Sequence, residues 1–310
     1  MSGTARDVTQ TDLHRRLLET LDALFGVHPG YRPVHAKGIV CEGSFTAADE
    51  ARDLSRAPHL QGGRVPVTVR FSDFTGLPDI PDTDPNANPR GMAVRFHLPD
   101  GGETDLVAHS YDGFPARTVE EFLGLLQALA ASGPGAASPS PVEEFAATHP
   151  AARRFLEAAK APPASFATES YFSADAFRFV NREGTARHGR YRIHPAGEER
   201  HLDAGEAATR GPNYLFEELR ERLRRGPAEF RVMVQLAAPG DPIDDASATW
   251  PADRPQVRLG TLSVERPSDA DERQLLFDPA RLVDGIEPSG DPLIPARSRI
   301  YAVSYRRRQR

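Results

Sequence analysis

A single cysteine, Cys41, in 310 residues excludes an intramolecular disulfide and any multi-cysteine zinc or iron–sulfur centre. It also fits a reducing compartment. No apolar stretch approaches the roughly 18–20 residues that cross a bilayer, and the first residues, MSGTARDVTQTD, hold neither a basic n-region nor an apolar h-region. The expectation is a cytoplasmic protein with no membrane partner. Basic charge is not in excess either: 38 Lys and Arg against 44 Asp and Glu leave a formal net charge of −6, which argues against nucleic acid as the main partner. The terminal RRRQR is too short to change that.

Common catalytic signatures are missing as well. There is no Gly-rich phosphate loop followed by Lys-Ser/Thr, no dinucleotide fingerprint, no G-x-S-x-G elbow and no H-E-x-x-H. Ten histidines are scattered, none at a metal-ligand spacing from another. DTDPNANPRG opens like a calcium loop at Asp82, Asp84 and Asn86. It has Ala87 where the sixth position needs glycine and Ala93 where the twelfth needs glutamate, so it reads as a turn-rich loop.

With 39% hydrophobic and 26% charged residues, the chain can bury a substantial core. Leu13, Leu17, Leu21 and Leu24 or Phe25 recur at helical spacing before Gly26, which predicts an N-terminal helix within residues 1–30. From 31 to 115 the texture becomes short β-type runs, HAKGIVCEGSF, VPVTVRFS, GMAVRFHL and ETDLVAHS, divided by Gly, Pro and Asp. Residues 116–165 form a helical and loop insertion, with helices over 118–131 and 142–160 and a Pro-rich loop at 131–141. Strands resume over 166–265, with a hairpin turning at Glu183-Gly184 and a charged helix, NYLFEELRERLRR, between them. No internal repeat or composition break divides the chain. The simplest architecture is one α+β domain spanning 1–310, an antiparallel β core closed into a barrel with helices around it.

Arg297 and Tyr301 stand four residues apart in a run that reads as a helix. That spacing puts a guanidinium beside a phenol and favours the phenolate, a form that can ligate haem iron. Other stretches widen the pattern. RPVHAKGIVCEGSF (32–45) resembles the distal haem segment of the haem catalase superfamily, and VTVRFS (67–72), NPRGMAVRF (88–96) and DLVAHSYDGFP (105–115) follow in that family's order. FDPARLVDGIEPSGDPLIPARSRIY (277–301) resembles the segment leading into its proximal ligand. The length is similar to that of the small catalase-related peroxidase branch.

The resemblance implies a catalase-like eight-stranded antiparallel barrel with surrounding helices, haem b as cofactor, and a proximal haem helix within 277–310. It implies that His35 is the distal acid–base group and that Ser72 fixes its tautomer. Tyr301 would be the iron ligand, with Arg297 keeping it anionic; Tyr305, one turn further along the same face, is the nearest competitor. Arg32, Arg70 and Arg308 would bind the haem propionates. Phe114 and Phe122 would flank the haem, and Val34 would narrow the approach to the iron.

One position departs from the family: His109 stands where larger catalases carry an asparagine that hydrogen-bonds peroxide. The implied function is a haem peroxidase that reduces hydrogen peroxide or organic peroxides with an organic electron donor and has weak catalase activity. The rivals are a true catalase, a fatty-acid hydroperoxide isomerase or dehydratase, and a non-enzymatic haem-binding protein. A homodimer is compatible with the helices that cover the barrel.

Overall fold

A computed structural model describes residues 3–158 and 161–309. Ten strands form one antiparallel sheet: β1 (Gly38–Ala47), β2 (Arg64–Ser72), β3 (Gly91–His97), β4 (Glu103–His109), β5 (Tyr171–Phe172), β6 (Phe177–Val180), β7 (Ala186–Pro195), β8 (Ala228–Leu236), β9 (Gln256–Pro267) and β10 (Ile286–Pro288). Pairing runs β1–β2–β3–β4–β5–β7–β8–β9 and returns from β9 to β1. Eight strands therefore close the expected barrel, while β6 and β10 extend from the first half of β7. Alternation along the strands fills the interior. On β2, Val65, Val67, Val69 and Phe71 point into a core that includes Phe45, Val94, Phe96, Phe230 and Leu262. Phe71 stacks on Phe166 at 5.4 Å between ring centroids.

The helices are α1 (Gly3–Phe25), α2 (Ala51–Leu54), α3 (Val119–Ala131), α4 (Pro141–Thr148), α5 (Pro150–Glu157), α6 (Ala204–Ala208), α7 (Tyr214–Arg225) and α8 (Leu293–Arg308). None is long and apolar enough to cross a membrane among the described residues. α1 ends where Gly26 takes φ +80°, a left-handed conformation that costs glycine nothing. The Thr118 side chain caps α3 by accepting from the Glu121 N–H at 3.2 Å.

Two helical expectations change. The helix expected over 142–160 is two helices, because Pro150 brings no N–H and forces His149 to an extended φ of −123°. Within 277–310 the helix begins only at Leu293: Gly285 and Gly290 both adopt positive φ and Pro288 and Pro292 break the run. The hairpin between β6 and β7 turns at Gly184, with φ +82°, as expected.

Outside the barrel a second apolar cluster joins Leu17 and Leu21 of α1, Val119, Leu123 and Leu126 of α3, and Leu293 and Ala296 of α8. These three helices make one wall of the site described below. Cys41 lies on β1 inside the barrel, fully buried, and burial pushes its thiol up to about 12. The native protein is therefore expected to give no reaction with an aromatic disulfide reagent at pH 8. One thiol per chain should appear in denaturant, with the same midpoint as the loss of secondary structure.

Candidate active site

Register builds one side of the site. Gly38, Ser72, Gly91 and His109 are successive cross-strand partners on β1, β2, β3 and β4, so they form a row at one end of the barrel, and Phe172 of β5 continues it. His35 comes three residues before β1 begins. It is the one described non-glycine residue with positive φ, at 56°. Such a conformation persists only when surrounding structure holds it. Here the His35 N–H donates to the Phe74 carbonyl at 2.7 Å, and its own carbonyl accepts from Arg70 Nη2 at 2.8 Å. The imidazole meets the Phe74 ring edge-on at 5.5 Å, and Ser72 Oγ lies 3.0 Å from His35 Nδ1.

Gly91 leaves the space in which that pair fits. A Cβ there would stand 2.5 Å from Ser72 Oγ and 2.8 Å from His35 Nδ1. With Nδ1 engaged by Ser72, Nε2 is the His35 nitrogen free to act. Burial, then the charge of Arg70, pushes the imidazole down to about 3, so it is neutral at physiological pH. His109 is likewise pushed down to about 4, by burial and then by Arg297, and its Nδ1 accepts the Tyr111 backbone N–H at 3.3 Å.

The other side of the site is one face of α8. Ala296, Arg297, Ile300, Tyr301, Ser304 and Arg308 all line the cavity that His35 and His109 line, whereas Tyr305 is not among the lining residues. Arg297 donates from Nε and Nη2 to the Tyr301 phenolic oxygen at 3.3 and 3.2 Å, and its Nη1 pairs with Asp175, which is buried. Behind it, burial and the Asp175 charge push Asp291 up to about 6. Val34, Phe114 and Phe122 complete the apolar lining, with the two phenylalanine rings 5.0 Å apart.

At one edge the charges are unbalanced. Arg70 donates to Glu272 from Nε at 3.1 Å and Nη2 at 3.0 Å, and Arg32 Nη1 reaches the same carboxylate at 3.0 Å. Arg32 Nη2 and Arg308 Nη2 both donate to the Leu275 carbonyl, at 2.9 and 3.0 Å. Arg308 Nε is buried without a partner. Burial and then Arg70 push the proton affinity of both Arg32 and Arg308 down, Arg308 to about 10. Three guanidiniums against one carboxylate leave a formal excess of two positive charges.

These features fit haem. The cavity is walled by apolar side chains, holds a tyrosine backed by a guanidinium on one element and a neutral imidazole on another, and has an edge with two uncompensated positive charges for two propionates. Among the described residues no group of three or more His, Cys, Asp or Glu side chains could hold a metal; a tyrosine oxygen beside a guanidinium is one of the single-ligand types that suit haem iron. All the site residues singled out from sequence lie on this cavity. Missed were Gly91, Gly38, Glu272, Phe74 and Asp175. Gly91 sits inside the NPRGMAVRF motif, and a glycine within a strand marks close backbone approach. Nothing in the local sequence marks Asp175 as the partner of Arg297.

Fold and site together define a class: a closed antiparallel β-barrel protein whose mouth is covered by a helix bearing an arginine–tyrosine pair. The Catalase family model matches residues 26–310, and the chain belongs to the catalase family. It is 39% identical to a catalase-related peroxidase of Mycolicibacterium paratuberculosis, over 91% of this chain and 90% of that protein. With a catalase-related peroxidase of Synechococcus elongatus it shares 35% identity, over 95% and 88% of the two chains. Catalase A of Saccharomyces cerevisiae matches in structure with a TM-score of 0.78 at 22% identity; the match covers 90% of this chain and 61% of that one.

The neutral buried histidines carry a cost in acid. His59, packed against Phe96 at 4.6 Å with Nδ1 unpartnered, is pushed down to about 3 by burial. Its folded value lies below the unfolded 6.5, so its contribution to stability is complete above pH 6.5 and is lost as pH falls toward 3. At pH 5 that loss is about 2 kcal/mol. His35 and His109 act in the same direction, less strongly because they face the cavity. Denaturant melts of the haem-free protein should show stability falling between pH 7.5 and 5, and His59→Phe should flatten that slope.

Proposed function

We propose that this protein is a haem b peroxidase that reduces hydrogen peroxide or organic peroxides at the expense of an organic electron donor. The observation that carries the reading is that two pairs, Ser72–His35 and Arg297–Tyr301, line one apolar cavity whose edge holds the arginine excess. The names of the catalase-related peroxidases that match nine-tenths of the chain support it. Non-covalent haem is favoured because the one thiol, Cys41, lies in the barrel core and not at the cavity.

Tyr301 would ligate the iron, Arg297 would donate hydrogen bonds to its phenolic oxygen, and Arg32, Arg70 and Arg308 would receive the propionates. Bound haem supplies the redox centre that takes oxidising equivalents from peroxide and passes them to the donor. The protein's part is proton movement and positioning. In the tautomer that donates from Nδ1–H to Ser72 Oγ, His35 Nε2 is unprotonated; it takes the proton from one peroxide oxygen and returns it to the other, which leaves as water. Its low proton affinity keeps the ring unprotonated, and so open to a proton, across the physiological range.

His109 presents a second imidazole. With Nδ1 accepting from Tyr111, the neutral ring carries its proton on Nε2 and can donate one hydrogen bond to a peroxide oxygen. A bulkier donor than a carboxamide leaves less room to orient a second peroxide, so donor oxidation should dominate over disproportionation.

The test is the absorption spectrum of the haem-loaded protein beside that of Tyr301→Phe. The wild type should show a high-spin ferric Soret spectrum with about one haem per chain, and the variant should lose or shift it. A wild type that takes up no stoichiometric haem would overturn the reading. His109→Asn should raise oxygen evolution from hydrogen peroxide relative to oxidation of a phenolic donor. An unchanged ratio would remove His109 as the cause of weak disproportionation.

A further inference from the structure

Directly behind the row of Ser72, Gly91 and His109 lies a buried ionic cluster that the proposed chemistry does not use. Lys37, Asp73, Asp82 and Arg90 have side chains at most 8% exposed. Lys37 Nζ donates to Asp82 Oδ1 at 2.5 Å, to the Ile80 carbonyl at 2.7 Å and to the Pro212 carbonyl at 2.9 Å, and stands 3.8 Å from Asp73 Oδ2. Arg90 pairs with Asp73 and donates to the Asp82 carbonyl. The remaining Asp82 oxygen accepts the Leu215 N–H at 2.7 Å, at the start of α7. Two positive and two negative charges make the cluster formally neutral, the condition under which four buried ions can persist.

Three of its four members are chain neighbours of the distal residues. Lys37 lies two positions after His35, Asp73 directly follows Ser72, and Arg90 directly precedes Gly91. Arg90 also exchanges backbone hydrogen bonds with Ser110, which follows His109: its N–H donates to Ser110 Oγ at 2.9 Å, and its carbonyl accepts the Ser110 N–H at 2.8 Å. Successive strand residues point to opposite faces, so while the row faces the cavity, the neighbouring side chains turn away and meet each other. The Asp73 N–H donates to the Lys37 carbonyl at 3.0 Å, one step beyond the last β1–β2 pair, and the His35 N–H to the Phe74 carbonyl one step further on. The left-handed His35 is thus held between two segments that the cluster ties together.

We infer that Asp73, through its buried pairing with Arg90 and its approach to Lys37, is a positioning residue that holds His35 against Ser72 in a single tautomer. The inference rests on the proposed role of His35, but its decisive measurement needs no haem. Burial holds the Asp73 carboxyl up to about 7, so the protein is compared at pH 8, where Asp73 is ionised.

The experiment records long-range ¹H–¹⁵N correlations of the histidine rings in ¹⁵N-histidine-labelled protein, with His35→Gln identifying the His35 signals. Wild type should show His35 as one neutral tautomer with well-separated nitrogen shifts. In Asp73→Asn the two shifts should converge toward the tautomer average. In haem-loaded samples the second-order rate of cyanide association, which needs a distal base to take the proton from HCN, should fall at least tenfold in Asp73→Asn while haem content is unchanged. A folded Asp73→Asn whose His35 signals match the wild type would overturn the inference. If Asp73→Asn does not fold, Lys37→Gln, which keeps a hydrogen-bonding side chain, is read in the same way, and unchanged His35 signals there overturn it equally. Failure of the wild type to bind haem would sink the peroxidase reading, and the tautomer comparison alone would then decide the role of Asp73.

Discussion

The alignment of Ser72, Gly91 and His109 across β2, β3 and β4 is the constraint on which the site depends. A strand has a period of two, so a slip of one residue would turn Ser72 away from the cavity and swing Arg70 or Phe71 to new faces. Closure of the barrel removes that freedom, because every strand of the ring has a neighbour on both sides. The interior aromatic packing, Phe71 on Phe166 and Phe45 against Phe96, then makes the register the one that buries these rings. Core and site are set by the same alternation: residues facing inward fill the barrel, and at its end the row opens onto the cavity.

The opposite side of the cavity is built differently. A single helix carries it, and helical spacing puts Arg297 over Tyr301 and Ser304 under Arg308 along one face. Between the two sides the protein concentrates positive charge it does not itself neutralise. Arg70 repels both Arg32 and Arg308, and burial adds to the cost of those two charges. An excess of two positive charges with an unpartnered buried guanidinium nitrogen is an arrangement that a ligand with two carboxylates relieves. Binding and stability are linked in such a site, because anything that binds only the folded state stabilises it.

Much of this was legible from residues alone where local rules apply. The Gly26 stop, the β-type runs and the Gly184 turn are short-range signals, and they fell where the structure has them. So did the spacing of Arg297 and Tyr301, a property of one helix. What the sequence hid was whatever depends on folding distant segments together. Asp175 lies 122 positions from its Arg297 partner, and Glu272 lies 202 from Arg70. His35 read as part of a strand because HAKGIVCEGSF is β-like. It leaves the strand because Phe74 and Arg70 capture its backbone, contacts no local pattern encodes. The split of the 142–160 helix is legible in Pro150, whose missing N–H and restriction on His149 outweigh the helical composition on either side.

Arg70 links two parts of the cavity wall. One of its nitrogens, Nη2, holds the His35 carbonyl and also reaches Glu272, so the residue that fixes the His35 backbone is part of the positively charged edge. Gly38 leaves the room that this guanidinium occupies, since a Cβ there would fall 2.2 Å from Nη2. A carboxylate arriving at the edge would therefore draw on the donors that hold His35 in its left-handed conformation. The proximal side has a matching link: Arg297 supports Tyr301 and is also, after burial, the largest influence lowering the proton affinity of His109. Each arginine thus connects a cavity-lining contact to a buried imidazole. Seating a group in the cavity and setting the protonation state of the residues above it are, in this architecture, coupled through two guanidiniums.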